Sequence, residues 1–401
     1  MGTLNKETQD YILAHIHEDV KKLALQSAKS GVDLHSALQQ IEGYQTAAKK
    51  LPSWTKHTGI IYPPRISMEQ CSSEKTAIYK QNVVKRILTE NASDGDGIFM
   101  DLTGGFGIDF SFITPLFKHA VYMERQEHLC QIAKHNFNLL GLSHAEILNI
   151  DSSAHPASWP NAICCYIDPA RRDQQGQKTI AIEDCEPNLI ELQQHLQDKA
   201  EHCLIKLSPM LDIQKAIRSL KNIAEVHAVS VQNECKELLL VINRKSPEEI
   251  TFHCVNIDTL TTDFTFTRAE EDATDCHIAN QLGHFLYEPN ASIMKCGGFK
   301  TLATRYGLKK LHPHSHLYTS DEKVDNFPDR TFSIVSEYGF GKQDLKNLQS
   351  KVKQANLTIR NFPSTVADLR KRLKLKEGGE YYLFATTTTD EKHVLILCRK
   401  A

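Results

Sequence analysis

Seven short apolar runs recur through the middle of the chain: Gly97–Leu102, Ala120–Glu124, Ala145–Ile150, Ile163–Asp168, Cys203–Leu207, Glu225–Val231 and Leu238–Asn243. Between the first five lie segments long enough for helices, among them Gln126–Leu140 and Asn188–Ala200. Strand–helix alternation of this kind predicts a parallel sheet covered on both faces, a doubly wound α/β core. Only Gln232–Glu237 separates the last two runs, which is too short for a crossover helix, so they should close the sheet as an antiparallel hairpin. Before the core, Tyr11, Ile12, His15 and Ile16, then Val20, Leu23 and Ala24, repeat at helical spacing, and a second helix should follow Gly31-Val32-Asp33 to about Lys50. The prolines of Leu51–Arg65 predict a loop, and Ser72 or Ser73 should cap a helix over Glu74–Leu88. Beyond Asn243 a Thr- and Asp-rich stretch leads to small α+β segments. The last of these reads strand, helix, strand, helix and two strands from Thr331 onward.

Composition narrows the class without fixing a partner. With 41% hydrophobic residues in 401, the chain can fill ordinary cores, and its length suits two to four domains. A formal charge of −2 gives no whole-chain attraction to nucleic acid, so an anionic partner must be met by a local patch. The 11 cysteines are scattered, none in a C-x-x-C pair, and read as reduced core thiols rather than a disulfide frame or zinc site. No stretch is long and apolar enough to span a bilayer, and no obligate protein partner is implied; a cytoplasmic location is expected.

The chemistry is concentrated at the ends of the predicted strands. Asp101-Leu102-Thr103-Gly104-Gly105-Phe106-Gly107-Ile108-Asp109 follows the first strand, where open α/β sheets bind ligands and where glycines allow a sharp turn and a close backbone approach. A nicotinamide cofactor would want G-x-G-x-x-G, but Phe110 stands where the third glycine belongs. Asp101 and Asp109 would also repel a pyrophosphate. A ligand with positive charge and polar groups suits the turn better, and S-adenosylmethionine has both. Glu124 ends the second strand, placed to accept ribose hydroxyls, and Asp151 follows the third, placed to receive an adenine amino group. Taken singly, each acid is more often an ordinary solvated strand end; three at successive strand ends are harder to dismiss. Tyr166-Ile167-Asp168-Pro169-Ala170-Arg171-Arg172 closes the fourth strand with a rigid turn, whose acceptors can hold a nucleophile in line. Arg171 or Arg172 can clamp an anion. Lys206 and Ser208 end the fifth strand beside the same crevice.

In this order of glycine loop, ribose acid, adenine acid and Asp-Pro turn, with a terminal hairpin, the chain resembles the class I S-adenosylmethionine-dependent methyltransferases over roughly Ser67–Arg244. More closely, Met68-Glu69-Gln70-Cys71-Ser72-Ser73-Glu74, Ile167–Arg172 and Arg360-Asn361-Phe362-Pro363 resemble a bacterial group, common in Bacteroidetes, with ferredoxin-like and C-terminal THUMP-like domains. The resemblance implies a helical region over 1–66, a catalytic domain over 67–245, a connecting region with a small ferredoxin-like domain over 246–328, and a THUMP-like domain over 329–401. It implies S-adenosylmethionine as cofactor, held by Asp101, Thr103, Gly105 and Gly107, with Glu124 at the ribose, Asp151 at the adenine, and Gln70 and Ser72 at the methionine end; Asp109, closing the same turn, is expected to bind it too. Asp168 and Pro169 would lie by the transferred methyl, with Arg171, Arg172, Lys206 and Ser208 toward the substrate. Amino-directed nucleic-acid methyltransferases carry a second proline and an aromatic after the first Pro. Here Ala170 and Arg171 stand there, so base stacking is not implied and the acceptor atom stays open.

The tail points to RNA, as tRNA or rRNA. Lys342, Lys346, Lys351 and Lys353 precede Arg360, and Arg370-Lys371-Arg372 with Lys374 and Lys376 follow, beside Asn361, Phe362 and Tyr381. THUMP domains, which this region resembles, are RNA-binding modules. A methyltransferase of proteins or small molecules, and a non-catalytic RNA-binding protein keeping the fold, are the rival readings. His312-Pro313-His314-Ser315-His316 would share one face if extended, but no cysteine or acid stands at ligand spacing, so a polar edge is expected and no metal.

Overall fold

The computed structural model describes residues 4–26, 30–92, 95–170, 182–259 and 263–401. Three helices open the chain, α1 (Lys6–His15), α2 (Val20–Ala24) and α3 (Leu34–Lys50), their first turns capped by Asn5, Asp19 and Asp33. The single helix expected before Gly31 is thus two, because Asp19 accepts from the Lys21 and Lys22 amides and restarts the winding. Within the expected loop Leu51–Arg65, Trp54–Lys56 forms one 3-10 turn. The short α4 (Arg65–Gln70) follows Pro64, and Ser73 caps α5 (Glu74–Glu90).

The core then alternates as expected: β1 (Ile98–Asp101), α6 (Ile108–Ile113), β2 (His119–Met123), α7 (Glu127–Leu139), β3 (Ala145–Leu148), β4 (Ala162–Ile167), α8 (Leu189–Lys199), β5 (Ala200–Leu207) and α9 (Ile213–Ser219). β6 (Ile223–Val231) and β7 (Glu234–Asn243) turn through Gln232 and Asn233, both at positive φ. Paired left-handed residues make the tight turn whose twist matches a hairpin. β7 therefore begins four residues before the apolar run, in a polar segment, Glu234-Cys235-Lys236-Glu237, that the hydrophobic pattern hides. Residues expected to connect domains form two more strands, β8 (Thr251–Ile257), parallel to β6, and β9 (Phe264–Thr267), antiparallel to β8. The sheet order is β3-β2-β1-β4-β5-β7-β6-β8-β9, with β1 to β5 all parallel. This is the doubly wound methyltransferase sheet with its terminal hairpin, extended by two strands.

Contacts divide the chain into two units, 1–224 with 239–247, and 225–238 with 248–401. In the first, the inner strand β4 is buried on both faces while the edge strand β3 is not, and Trp54 packs on Phe106 of the glycine loop with ring centres 5.1 Å apart. In the second, α10 (Arg268–Ala273), β10 (Phe285–Pro289), α11 (Ala291–Cys296), α12 (Phe299–Arg305), β11 (Lys309–Lys310) and β12 (Tyr318–Ser320) lead into β13 (Asp329–Gly339). There follow α13 (Lys342–Lys351), β14 (Asn356–Arg360), α14 (Val366–Leu373), β15 (Tyr381–Thr387) and β16 (His393–Lys400). Their strands form one sheet, β11-β12-β10-β13-β16-β15-β14, so the small ferredoxin-like region and the tail share a ladder between β10 and β13. Phe332, Phe384, Ile396 and Leu311 fill one core of this unit, and Leu348, Leu369, Leu383 and Leu395 another.

Residues 312–316 are not extended. They form a turn in which His312 meets Glu391 and Asn361, and His316 stacks on Phe299 with centres 3.6 Å apart. The expected polar edge is a set of engaged side chains. Among the described residues, no helix is long and apolar enough to cross a membrane.

Candidate active site

The glycine loop is fixed from behind by aromatic rings and from above by hydrogen bonds. Gly105 and Gly107 have φ of +58° and +83°, a region that costs other residues about 1–2 kcal/mol. A Cβ on Gly104 would fall 2.1 Å from the Tyr122 ring, and one on Gly107 would fall 2.7 Å from Phe137, so the loop lies flat against these rings. A Cβ on Gly105 would meet no heavy atom nearer than 3.7 Å, so its open side is left clear for a ligand. Tyr122 Oη donates to the Gly105 carbonyl at 2.5 Å and Gly104 N to the Met123 carbonyl at 2.8 Å.

Four carboxyl groups, those of Asp101, Asp109, Glu124 and Asp168, act on one another at this loop. Asp101, almost wholly buried, accepts from Thr103 N at 2.9 Å. Burial pushes its carboxyl well above the usual range, and the nearby charges of Asp109, Asp168 and Glu124 push the same way. Glu124 is also buried. Its two oxygens accept from Gly105 N at 2.9 Å and Gln126 N at 2.8 Å, which fixes the carboxylate between the loop and α7. Thr103 Oγ1 accepts from Asp168 N at 2.7 Å, tying the loop to the Asp-Pro turn. The Asp168 carboxylate is ion-paired with Lys206 at the end of β5. Asp151 is exposed; its Oδ1 accepts from Ser153 N and Oγ at 2.9 and 2.6 Å, and those bonds hold the carboxyl below its ordinary value.

Asp109 is turned inward. Its Oδ2 accepts from Ser72 Oγ and Tyr166 Oη, each at 2.7 Å, and its Oδ1 lies 3.2 Å from Nζ of Lys80, a fully buried lysine on α5. Burial alone would raise this acid; the Lys80 and Lys206 charges and the two hydrogen bonds outweigh it and hold the group below the usual range. Ser72 thus reaches the loop through Asp109, whereas Gln70 is exposed at the end of α4. Ser208 is buried, and its Oγ accepts from Met210 N at 3.1 Å, shaping the turn after β5. Arg171 and Arg172 lie outside the described residues. Pro169 leads into Ala170, whose backbone pairs with Glu186, and the Glu186 carboxylate meets Arg125 beside Glu124 at 2.5 Å.

The structure therefore brings Asp101, Thr103, Gly105, Gly107, Asp109, Glu124, Asp168 and Lys206 into one linked network at the strand tips. Sequence reasoning missed Lys80, Tyr166 and Arg125. The signal for Lys80 was a lysine on the apolar face of α5, three residues from both Ala77 and Val83.

Comparison with known proteins adds three findings. Residues 285–328 match the model of a ferredoxin-like domain and residues 330–400 that of a THUMP domain-like family. A crystal structure from Porphyromonas gingivalis W83, of a protein assigned as a methyltransferase, is 33% identical over 100% of both chains, with a TM-score of 0.86. An S-adenosylmethionine-dependent methyltransferase of Mycobacterium tuberculosis is 22% identical over 278 residues, 69% of this chain and 73% of its own length.

Proposed function

The chain belongs to the S-adenosylmethionine-dependent methyltransferases, the family of its full-length relative from Porphyromonas gingivalis, and on that premise we propose that it methylates a nucleotide of structured RNA. The observation that carries the RNA reading is the presence, in the same chain, of residues 330–400 matching a THUMP domain-like family. In that unit α13 and α14 expose Lys342, Lys346, Lys351, Lys371 and Arg372, a set suited to phosphates. Phe362 and Tyr381 support it less, since Phe362 packs on Phe340 and Tyr381 lies under Arg399.

The network at the strand tips fits the cofactor. Gly105 leaves its ligand side open, and buried Asp101 lies among other acids, where an arriving ammonium would favour its ionised form. Glu124, held by two backbone amides, presents its remaining lone pairs to ribose hydroxyls, and Asp151 stands for the adenine amino group. Gly107 and Thr103 shape the loop, Asp109 braces it through Ser72, and Gln70 borders the methionine end. When bound, the cofactor supplies a methyl group made electrophilic by its sulfonium. Asp168 and the Pro169 turn orient the acceptor, and Lys206 fixes the Asp168 carboxylate in one direction. The gain in rate comes mainly from positioning.

The test is nucleoside mass spectrometry of tRNA and rRNA from cells with and without the protein, joined to methyl transfer in vitro onto RNA from the deleted strain. One methylated nucleoside should vanish on deletion and return in vitro. Unchanged RNA, with transfer to a protein or small molecule instead, would overturn the substrate class.

A further inference from the structure

We infer that Glu225, His227 and His253 form a binding site for a divalent metal ion of the zinc type, built from none of the residues of the methyl-transfer network. His227 on β6 and His253 on β8 are direct partners in a parallel ladder, and Glu225 precedes His227 by two residues, on the same face. The two imidazoles stack with centres 4.3 Å apart and planes within 8°, and both turn Nε2 toward Glu225. Both converge on one carboxylate oxygen: Glu225 Oε2 lies 2.8 Å from His227 Nε2 and 3.8 Å from His253 Nε2.

Two features separate this from an ordinary hydrogen-bonded histidine. One oxygen serves two ring nitrogens, and only the His227 contact has hydrogen-bond length. All three donor atoms lie within 4.8 Å of one another, the one such group of three among the described residues. Donors of a tetrahedral zinc with bonds of about 2.0–2.1 Å stand about 3.3 Å apart, so the two observed separations bracket the value and small side-chain rotations complete the triangle. Burial is graded in the way a three-ligand site needs, with His227 side-chain exposure at 1%, Glu225 at 15% and His253 at 22%, which leaves an approach for the ion and a water as fourth ligand. Asp263 is near enough to His227 to feel its charge and adds a second carboxylate to the neighbourhood. The opposite face of the same strands is taken up by α11, where Ser292 Oγ donates to the Val255 carbonyl and accepts from Ser230 Oγ, so the histidine face is distinct from that packing. An ion here would clip β6 to β8.

The test uses the tag-free full chain, stripped with EDTA and titrated with Zn²⁺ against a chromophoric chelator. One ion per chain should bind. Loss of an outer-shell partner costs a metal site about 10–100-fold, so His253→Ala, which removes a ligand, should weaken binding by at least ~100-fold. Its circular dichroism and S-adenosylhomocysteine affinity should be unchanged. His253→Gln, which keeps more of the side-chain volume, repeats the measurement should the alanine variant fail to fold. Co²⁺ in place of Zn²⁺ should give visible bands without thiolate charge transfer. No stoichiometric binding, unaltered binding in both His253 variants, or a thiolate band marking the cysteines as ligands would each overturn the site.

Discussion

Replacing Lys80 with methionine tests whether the inward-facing Asp109 depends on its buried partner. Lys80 has no solvent exposure and its Nζ lies 3.2 Å from Asp109 Oδ1, while Ser72 and Tyr166 occupy Oδ2. Removing one member of a buried ion pair leaves an uncompensated charge and costs about 3–5 kcal/mol. The first unit is of a size for which each kcal/mol moves the midpoint by about 2–4 °C, so Lys80→Met should lower Tm by roughly 6–20 °C. The pH dependence has a definite sign. In the wild type the Asp109 carboxyl is held below its unfolded value of about 3.9, so its stabilisation is in full above that pH and is lost only as pH falls through the still lower folded value. Without Lys80, burial dominates and raises the group, so the variant's deficit should shrink as pH is lowered from 8 toward 5. Lys80→Met with Asp109→Asn should recover most of the loss, since removing both charges of a buried pair is often near neutral. The assay is thermal and urea unfolding of the three proteins across that pH range. A shift below about 2 °C for the single variant, or a double variant no more stable than it, would refute the reasoning.

Glu124→Gln should weaken S-adenosylhomocysteine binding by about 10–100-fold in calorimetry, because one of the two backbone amides loses its acceptor and an uncharged group meets the ribose; a change under threefold would remove Glu124 from the site. Lys206→Met should lower kcat at least ~100-fold while cofactor affinity stays within about threefold, and a selective rise in KM would instead mark Lys206 as an RNA contact. In the second unit, burial raises the Asp329 carboxyl to about 6, so the charged form destabilises the fold as pH rises through the interval from about 4 to 6. Asp329→Asn, whose amide oxygen can still accept from Asn233, should therefore add about 1–2 kcal/mol at pH 7.5 and almost nothing near pH 4, read from urea midpoints.

The parallel sheet was legible because its five strands are short apolar runs punctuated by polar strand ends. Asp101, Glu124 and Asp168 stood out by position alone. What decides their behaviour did not, since Lys80 and Tyr166 reach Asp109 from helix α5 and strand β4, 29 and 57 residues away in sequence. β8 escaped notice because His253 and Asn256 interrupt its apolar pattern, and the same interruption hid the alignment of His253 with His227. The histidines that did stand out, 312 to 316, depended on an extended backbone, and the turn they adopt directs them to separate partners.

The ladder joining Phe285–Pro289 to Asp329–Gly339 has a practical consequence. A chain severed after Pro328 would leave two bare strand edges, each offering unpaired amides and carbonyls to any neighbour in solution. The ferredoxin-like and THUMP-like segments should accordingly be expressed, swapped or grafted as one indivisible block, and a cut at their nominal border should yield aggregates.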